Sequence, residues 1–155
     1  MNSVGIKIIA KNKRASFDFH LLRSLEAGIE LQGTEVKSLR DSKASLAESH
    51  VIIKNLEAFL VNAQIAPYDF GNRQNHAQNR TRKLLLHKKE IEELHHLIKT
   101  QSATIIPLKI YFKGSKVKVE IALAKGKKLY DKREDAKKAE AKKMIQQKVK
   151  LTNAR

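Results

Sequence analysis

The chain contains no cysteine and no tryptophan, only two prolines, and half as many acids as bases. Without cysteine there is no disulfide framework, no thiolate metal site and no thiol nucleophile, so a reducing, cytoplasmic setting is expected. The first residues, MNSVGIKIIAKNKR, lack the apolar stretch of about 7 or more residues that a secretory signal requires, and no run approaches the ~18 apolar residues of a membrane span. Catalytic signatures are missing too. There is no GxSxG elbow, no P-loop, no dinucleotide fingerprint and no HExxH. The adjacent pair His95 and His96 does not share one ion easily, because neighbouring helical residues point about 100° apart. Glu90, Glu92 and Glu93 fall on one solvated helix surface, whereas two-metal nuclease chemistry needs carboxylates converging in a cleft. The expectation is a protein that is not an enzyme and carries no cofactor and no metal.

What the chain has in excess is positive charge. Against 16 Asp and Glu stand 32 Lys and Arg, a formal net charge of +16. An imbalance of that size concerns partners rather than fold: nucleic acid leads, and an acidic membrane surface or acidic protein follows. The cations fall in separate clusters: Asn12-Lys13-Arg14, Arg80-Thr81-Arg82-Lys83, the lysines of the last hairpin, and a tail beginning AKGKKLYDKREDAKK at Ala124. If each cluster meets two phosphates, counterion release gives salt-sensitive affinity without sequence readout. A merely soluble basic surface is the competing explanation. Aromatic residues are scarce, at 5%, and most sit in predicted strands, where the core claims them. Tyr130 differs, because it lies among cations and is placed either to stack on a base or to pack on the folded body.

Hydrophobic periodicity predicts the body. IIPLKIYF from Ile105 puts Ile106, Leu108, Ile110 and Phe112 on one face, and KVKVEIAL from Lys116 puts Val117, Val119, Ile121 and Leu123 on one face, with Lys113-Gly114-Ser115 between them. The polar side of this hairpin carries Lys109, Lys116 and Lys118, with Glu120 the lone acid. HVIIK from His50 and EAFLVNAQIA from Glu57 form a second hairpin around Asn55. FDFHLLRSL from Phe17 and IEL from Ile29 read as strands around Glu26-Ala27-Gly28, where glycine suits a bend or bulge. Thr34 caps a short helix through Arg40, and a longer helix runs from about His87 to Lys99 on a stripe of Ile91, Leu94 and Ile98. The segment FGNRQNHAQNRTRK from Phe70 has no apolar period and reads as an exposed loop. Five or six strands with an inserted helix suggest a small oligonucleotide-binding-type barrel; periodicity does not separate it from other small α+β barrels. The tail's apolar stripe of Ala141, Ile145 and Val149 is too thin for a membrane surface, and an isolated helix of its length is marginal in water.

Three stretches in one order are familiar: EAGIELQGTEVKSLR from Glu26, NRTRKLLLHKKEI from Asn79, and IALAKGKKLYDKRE from Ile121. The chain from about Lys11 to Lys138 resembles the SsrA-binding protein family, also called small protein B, the bacterial partners of transfer-messenger RNA in trans-translation. The resemblance implies a mainly β fold with accessory α: a closed antiparallel oligonucleotide-binding-type barrel over residues 1–124, two or three helices, and a basic tail over residues 125–155. The tail is expected to be disordered when free and helical on the ribosome. It also implies a monomer that binds the tRNA-like domain of transfer-messenger RNA, meets the small-subunit RNA, and enters the vacant A site of a stalled 70S ribosome, with no membrane partner. Family RNA contacts match Asn12, Glu26, Leu86 and Lys116, with cations Lys13, Arg14, Arg82, Lys83 and Lys118 nearby. The family's decoding-site motif matches Gly126, Lys127, Lys128, Asp131, Lys132 and Arg133, with Tyr130 where many members have histidine. Phe17-Asp18-Phe19 replaces a frequent His-Asp-Tyr, and Asn75-His76-Ala77-Gln78 a frequent Asn-His-Asp-Pro. A carboxylate at Glu26 accepts from a base amino group, a 2′-hydroxyl or a cation it orients; bracing the Ala27-Gly28 bend is the alternative. The rival function is a generic barrel-fold RNA-binding or ribosome-assembly protein.

Overall fold

The structure is a computed structural model that describes residues 5–70 and 75–153; within the last helix, the side chains of 129–131 and 147–153 are not part of the description. The described residues form nine strands and four helices: β1 (Ile6–Lys11), α1 (Ala15–Asp18), β2 (Phe19–Ile29), α2 (Gly33–Arg40), β3 (Ala44–Ser45), β4 (His50–Lys54), β5 (Glu57–Val61), β6 (Gln64–Ile65), β7 (Arg82–Leu85), α3 (Lys88–Gln101), β8 (Thr104–Lys113), β9 (Lys116–Gly126) and α4 (Leu129–Asn153). Antiparallel pairing runs β8, β4, β5, β7, β2, β9 and back to β8, with β1 added on the second half of β8 and a small β3–β6 pair beside it. The fold is therefore mainly sheet with several helices.

Both predicted hairpins form. At β4–β5 the two turn residues Asn55 and Leu56 have φ of 53° and 58°, the left-handed pair that a two-residue turn between twisted strands requires. Asparagine tolerates that region; leucine adopts it at a cost, and the result is a half-exposed apolar side chain at the tip. At β8–β9, Gly114 (φ 62°) supplies the turn between the paired Lys113 and Lys116.

One predicted face is rearranged. The register of β8 shifts between Pro107 and Lys109, where proline has no N–H to give the ladder. The extra residue re-aims the side chains before it: Ile105 and Ile110 join the main core, while Ile106 packs with Ala15 and Ala124 in a second small cluster that Leu108 also touches. The β9 face is as predicted, with Val119, Ile121 and Leu123 in the core.

The expected bend at Glu26-Ala27-Gly28 is absent. β2 is continuous through it and its irregularity lies between Leu21 and Arg23, so Glu26 braces no bend. Gly28 serves a close approach instead: a Cβ there would stand 3.1 Å from Leu85 Cβ on the paired strand β7. Phe17 and Asp18 belong to α1, not to a strand. α2 starts two residues earlier than predicted, because Gln32 and not Thr34 is the N-cap and forms a capping box with Glu35, leaving Thr34 Oγ1 to hydrogen-bond His76 Nδ1 at 2.9 Å. α3 is capped in the same way by His87 and Glu90.

The segment from Phe70 is not simply an exposed loop. Its residues 71–74 lie outside the described ones, but His76 is buried, and its Nε2–H donates to the Ile65 carbonyl at 2.9 Å. Arg82 is 0% exposed. Its Nε donates to Glu35, also 0% exposed, and its other nitrogens donate to the carbonyls of Ala63 (2.9 Å) and Gln78 (3.2 Å). Arg80 adds a second guanidinium on Glu35 at 2.6 Å. Burial pushes the Glu35 carboxyl up, but the hydrogen bonds from Arg80, the Gln32 amide and Arg82 outweigh it and hold the group below its ordinary value.

Candidate nucleic-acid interface

Strand alternation decides which cations reach solvent. On β7, Arg82 and Leu84 point inward, so Lys83 and Leu85 point out. Arg82, expected to meet phosphate, is instead enclosed by the Glu35 carboxylate and the carbonyls of Ala63 and Gln78, and is removed from the candidate surface. Lys83 remains, half-exposed and 3.6 Å from Glu57.

Four sequence-predicted residues, far apart in the chain, line one groove of about 600 Å³: Glu26 from β2, Lys83 from β7, Leu86 just beyond it, and Lys118 from β9. Gly28 lies in the same groove, opposite Lys118 on one side and Leu85 on the other. Leu56 and Leu85, 47% and 49% exposed, give it an apolar wall that the sequence reading missed. The strained turn at Leu56 was the signal available, since a leucine after Asn55 in a two-residue turn has no inward face to occupy.

Glu26 is held from both sides. The Tyr111 hydroxyl donates to Oε2 and Lys113 Nζ donates to Oε1 at 3.3 Å. The Tyr111 hydrogen bond, against opposing desolvation and with help from Lys113 and Lys118, keeps the carboxyl below its ordinary range; burial and then that same hydrogen bond push Tyr111 up. The cationic face predicted for the last hairpin is partly neutralised, since Lys109 pairs with Glu120 at 3.2 Å. Lys116 is exposed at the hairpin end, outside the groove lining.

Asn12, Lys13 and Arg14 line a different groove, of about 900 Å³, between the end of β1 and the segment from Ala44 to His50. The Asn12 side-chain amide donates to the Pro107 carbonyl at 3.0 Å, fastening β1 to the irregular point of β8. Arg14 bonds Asp18 at 3.3 Å and lies over the Phe17 ring at 5.2 Å.

The start of the tail docks on α1. Gly126 ends β9 opposite Phe19, the Lys127 N–H donates to the Asp18 carbonyl at 2.8 Å, and Lys127 Nζ donates to the Ser16 carbonyl at 2.8 Å and to Asp135. Lys132 Nζ meets Asp18 at 3.1 Å. Lys128 and Arg133 are exposed. The side chains of Tyr130 and Asp131 lie outside the described ones, so the two alternatives for Tyr130, stacking on a base or packing on the body, both concern a side chain that is not described. Asp18 thus joins Arg14 to Lys132, and the Arg14 hydrogen bond followed by that of Lys132 lowers its carboxyl. Asp18→Asn is expected to accelerate amide exchange in the first turns of α4 while leaving β-strand amides unchanged; equal protection in both proteins would show that this carboxylate does not hold the helix.

A further missed residue is Phe70, 79% exposed, with its ring edge-on to Tyr68 at 5.5 Å. It belongs to no strand, which is what the sequence had to offer. Among the described residues no group of three His, Asp or Glu is placed to hold a metal ion, and no helix is long and apolar enough to cross a membrane.

Comparison with known proteins places this geometry. A family model described as SmpB protein matches residues 9–151. The chain is 53% identical over 150 residues to the SsrA-binding protein of Pelobacter propionicus, covering 97% of this chain and 99% of that one. It is 59% identical over 132 residues to that of Geotalea uraniireducens, covering 85% and 87%. A solved chain described as "tmRNA-SmpB: a journey to the center of the bacterial ribosome" superposes with a TM-score of 0.65 at 44% identity, covering 77% of this chain and 84% of that one.

Proposed function

The chain belongs to the SmpB family of SsrA-binding proteins, and on that premise we propose that it binds the tRNA-like domain of transfer-messenger RNA and brings it to ribosomes stalled in translation. It acts as an RNA-binding factor in trans-translation, by shape and charge rather than covalent chemistry. The ring of strands serves as an oligonucleotide-binding-type closed barrel that holds the folded RNA. The observation that carries this reading is the single groove in which Glu26, Lys83, Leu86 and Lys118 converge. Cations there neutralise phosphates, and the fixed carboxylate supplies an acceptor for a base or a 2′-hydroxyl. Asn12, Lys13, Arg14 and Lys116 extend the contact to two flanking surfaces.

The tail, residues 125–155, takes the second role: Gly126, Lys127, Lys128, Tyr130, Asp131, Lys132 and Arg133 enter the vacant decoding site of the small subunit. Every described side chain from Ala136 to Gln146 is exposed, so nothing in the body fixes this length of α4. A polar helix without a buried face forms poorly alone and folds against a polyanion. Beyond the first turns that dock on α1, the tail is accordingly disordered in the free protein and helical on ribosomal RNA, and there Lys127 and Lys132 exchange their contacts on α1 for phosphates.

Competition binding tests the function. The tRNA-like domain is expected to displace labelled transfer-messenger RNA at far lower concentration than duplex RNA of equal length; equal displacement would favour a generic RNA-binding protein.

A further inference from the structure

We infer that Phe70 is a stacking platform for one unpaired base of ribosomal RNA, a contact separate from the groove beside Glu26 and from the tail. The inference rests on the ribosome-bound role proposed above and adds a second surface through which the folded body meets the ribosome.

The ring of Phe70 stays outside the core. It is 79% exposed, although burial is what a phenylalanine side chain ordinarily gains most from. The backbone that leads to it is tied down from two sides. The Ser38 hydroxyl donates to the Ala66 carbonyl at 2.7 Å, and the Ala66 N–H donates to the Lys43 carbonyl at 3.0 Å. The Tyr68 N–H donates to Asn75 Oδ1 at 3.1 Å, and the Asn75 side-chain amide donates back to the Tyr68 carbonyl at 2.6 Å. The next residue, His76, has its ring bonded to Thr34 and Ile65. Phe70 thus ends a pinned segment, with its ring edge-on to Tyr68 at 5.5 Å. An edge-on contact covers at most one face of the ring, and the other stays open to solvent.

Charge decides what such a ring would meet. From Lys37 to Lys43 stand three cations, Lys37, Arg40 and Lys43, against the single acid Asp41. Lys37 Nζ lies over the Tyr68 ring at 5.4 Å, and Lys43 pairs with Asp69 at 3.2 Å in an exposed ion pair that a phosphate can replace at little cost. A bare aromatic ring beside cations takes a nucleotide, the base on the ring and the phosphate on the ammonium groups. An apolar protein partner needs a contiguous patch, whereas Ala66 to Phe70 offers one bare ring rather than an apolar run. None of Lys37, Lys43, Tyr68 and Phe70 lines the groove of Glu26, Lys83, Leu86 and Lys118. With the tRNA-like RNA held in that groove, the ring is left for the second polyanion, the ribosome.

The alternative occupant is an apolar side chain of a ribosomal protein. Leucine can replace phenylalanine in an apolar protein contact but cannot stack on a base, so substitutions at one position separate the two. With the full chain, transfer-messenger RNA and stalled ribosomes, Phe70→Ala and Phe70→Leu should each lose about tenfold in ribosome affinity, and Phe70→Trp should keep it. Affinity for free transfer-messenger RNA and the thermal midpoint should be unchanged in all three, because the ring is exposed. The chain has no tryptophan, so Phe70→Trp carries a single indole. Its emission should be quenched by stalled ribosomes and not by transfer-messenger RNA alone. Ultraviolet irradiation should join the indole to one ribosomal RNA nucleotide, read as a primer-extension stop that Phe70→Leu lacks.

Full ribosome affinity in Phe70→Leu, or a cross-link to a ribosomal protein, overturns the inference in favour of a protein contact. Quenching or a cross-link with transfer-messenger RNA alone overturns it by placing the base there. Unchanged ribosome affinity in Phe70→Ala also overturns it, and leaves the proposed function standing. A wild-type protein that neither selects the tRNA-like domain nor binds stalled ribosomes overturns both.

Discussion

Replacing Glu35 by alanine is expected to cost about 3–5 kcal/mol of folding stability. Among the described residues the carboxylate is the sole anionic partner of Arg82, in a site where both side chains are 0% exposed, and its removal leaves a guanidinium charge with carbonyl dipoles for company. Urea denaturation should show a lower midpoint at an unchanged slope. The double replacement Glu35→Leu with Arg82→Leu should recover part of the loss, since an apolar pair avoids the desolvation cost of two ions. Recovery stays incomplete, because Arg82 also satisfies the carbonyls of Ala63 and Gln78, which no leucine can do. Lys83→Ala provides the contrast: its pair with Glu57 is half-exposed, so stability should move by less than about 0.5 kcal/mol. RNA affinity should fall, and its salt dependence should weaken by about one unit of slope. A stability loss at Lys83 equal to that at Glu35 would contradict the inward and outward assignment of β7.

The same cluster gives a pH dependence with a definite sign. The folded-state pKa of Glu35 lies below its unfolded value. Its stabilising contribution is therefore complete above the ordinary glutamate value and is lost as pH falls through the folded one. Acid unfolding of the wild type should be steeper than that of Glu35→Gln, which has no carboxyl to titrate.

A chain ended at Lys128 is expected to bind transfer-messenger RNA with less than about a tenfold change in affinity and to yield no peptide tagging above background on stalled ribosomes. The place of the cut matters. β9 continues to Gly126, Ala124 is fully buried, and Lys127 is tied to Asp18 and Ser16, so a cut after Leu123 would remove core and confuse unfolding with loss of function. Gel-shift affinity and tagging in a reconstituted translation system, measured on one preparation, decide the matter. Normal tagging by the shortened chain would mean that the tail is not the decoding-site element.

The sequence was readable wherever a side chain's fate depends on near neighbours. The alternation in KVKVEIAL fixes the core face of β9 whatever the rest of the chain does, and the stripe Ile91, Leu94 and Ile98 fixes the buried face of α3. Net charge and the absence of catalytic motifs pointed to a polyanion partner before any contact was known. The β8 face was misread because one residue inserted at Pro107 reverses every side chain on one side of it, and the strand pattern does not announce the insertion.

Arg82 shows the same limit in the functional site. Within RTRK it is one cation among three, and its identity as a buried ion requires two facts at once. It is two residues before the core residue Leu84, and an inward acid, Glu35, sits one helical turn before the core residue Leu39 on α2. Each fact is local and legible, but their meeting across 47 positions is not.

By itself, the sequence determined a small mainly-sheet protein with a large excess of positive charge and a polar, core-free tail, because composition and period are properties of the chain. Only the tertiary structure decided which cations face solvent, that Glu26 has its carboxylate fixed by Tyr111 and Lys113, and that Lys83, Leu86 and Lys118 share its groove. Charge sums do not depend on where residues lie, whereas burial and hydrogen bonding depend on nothing else.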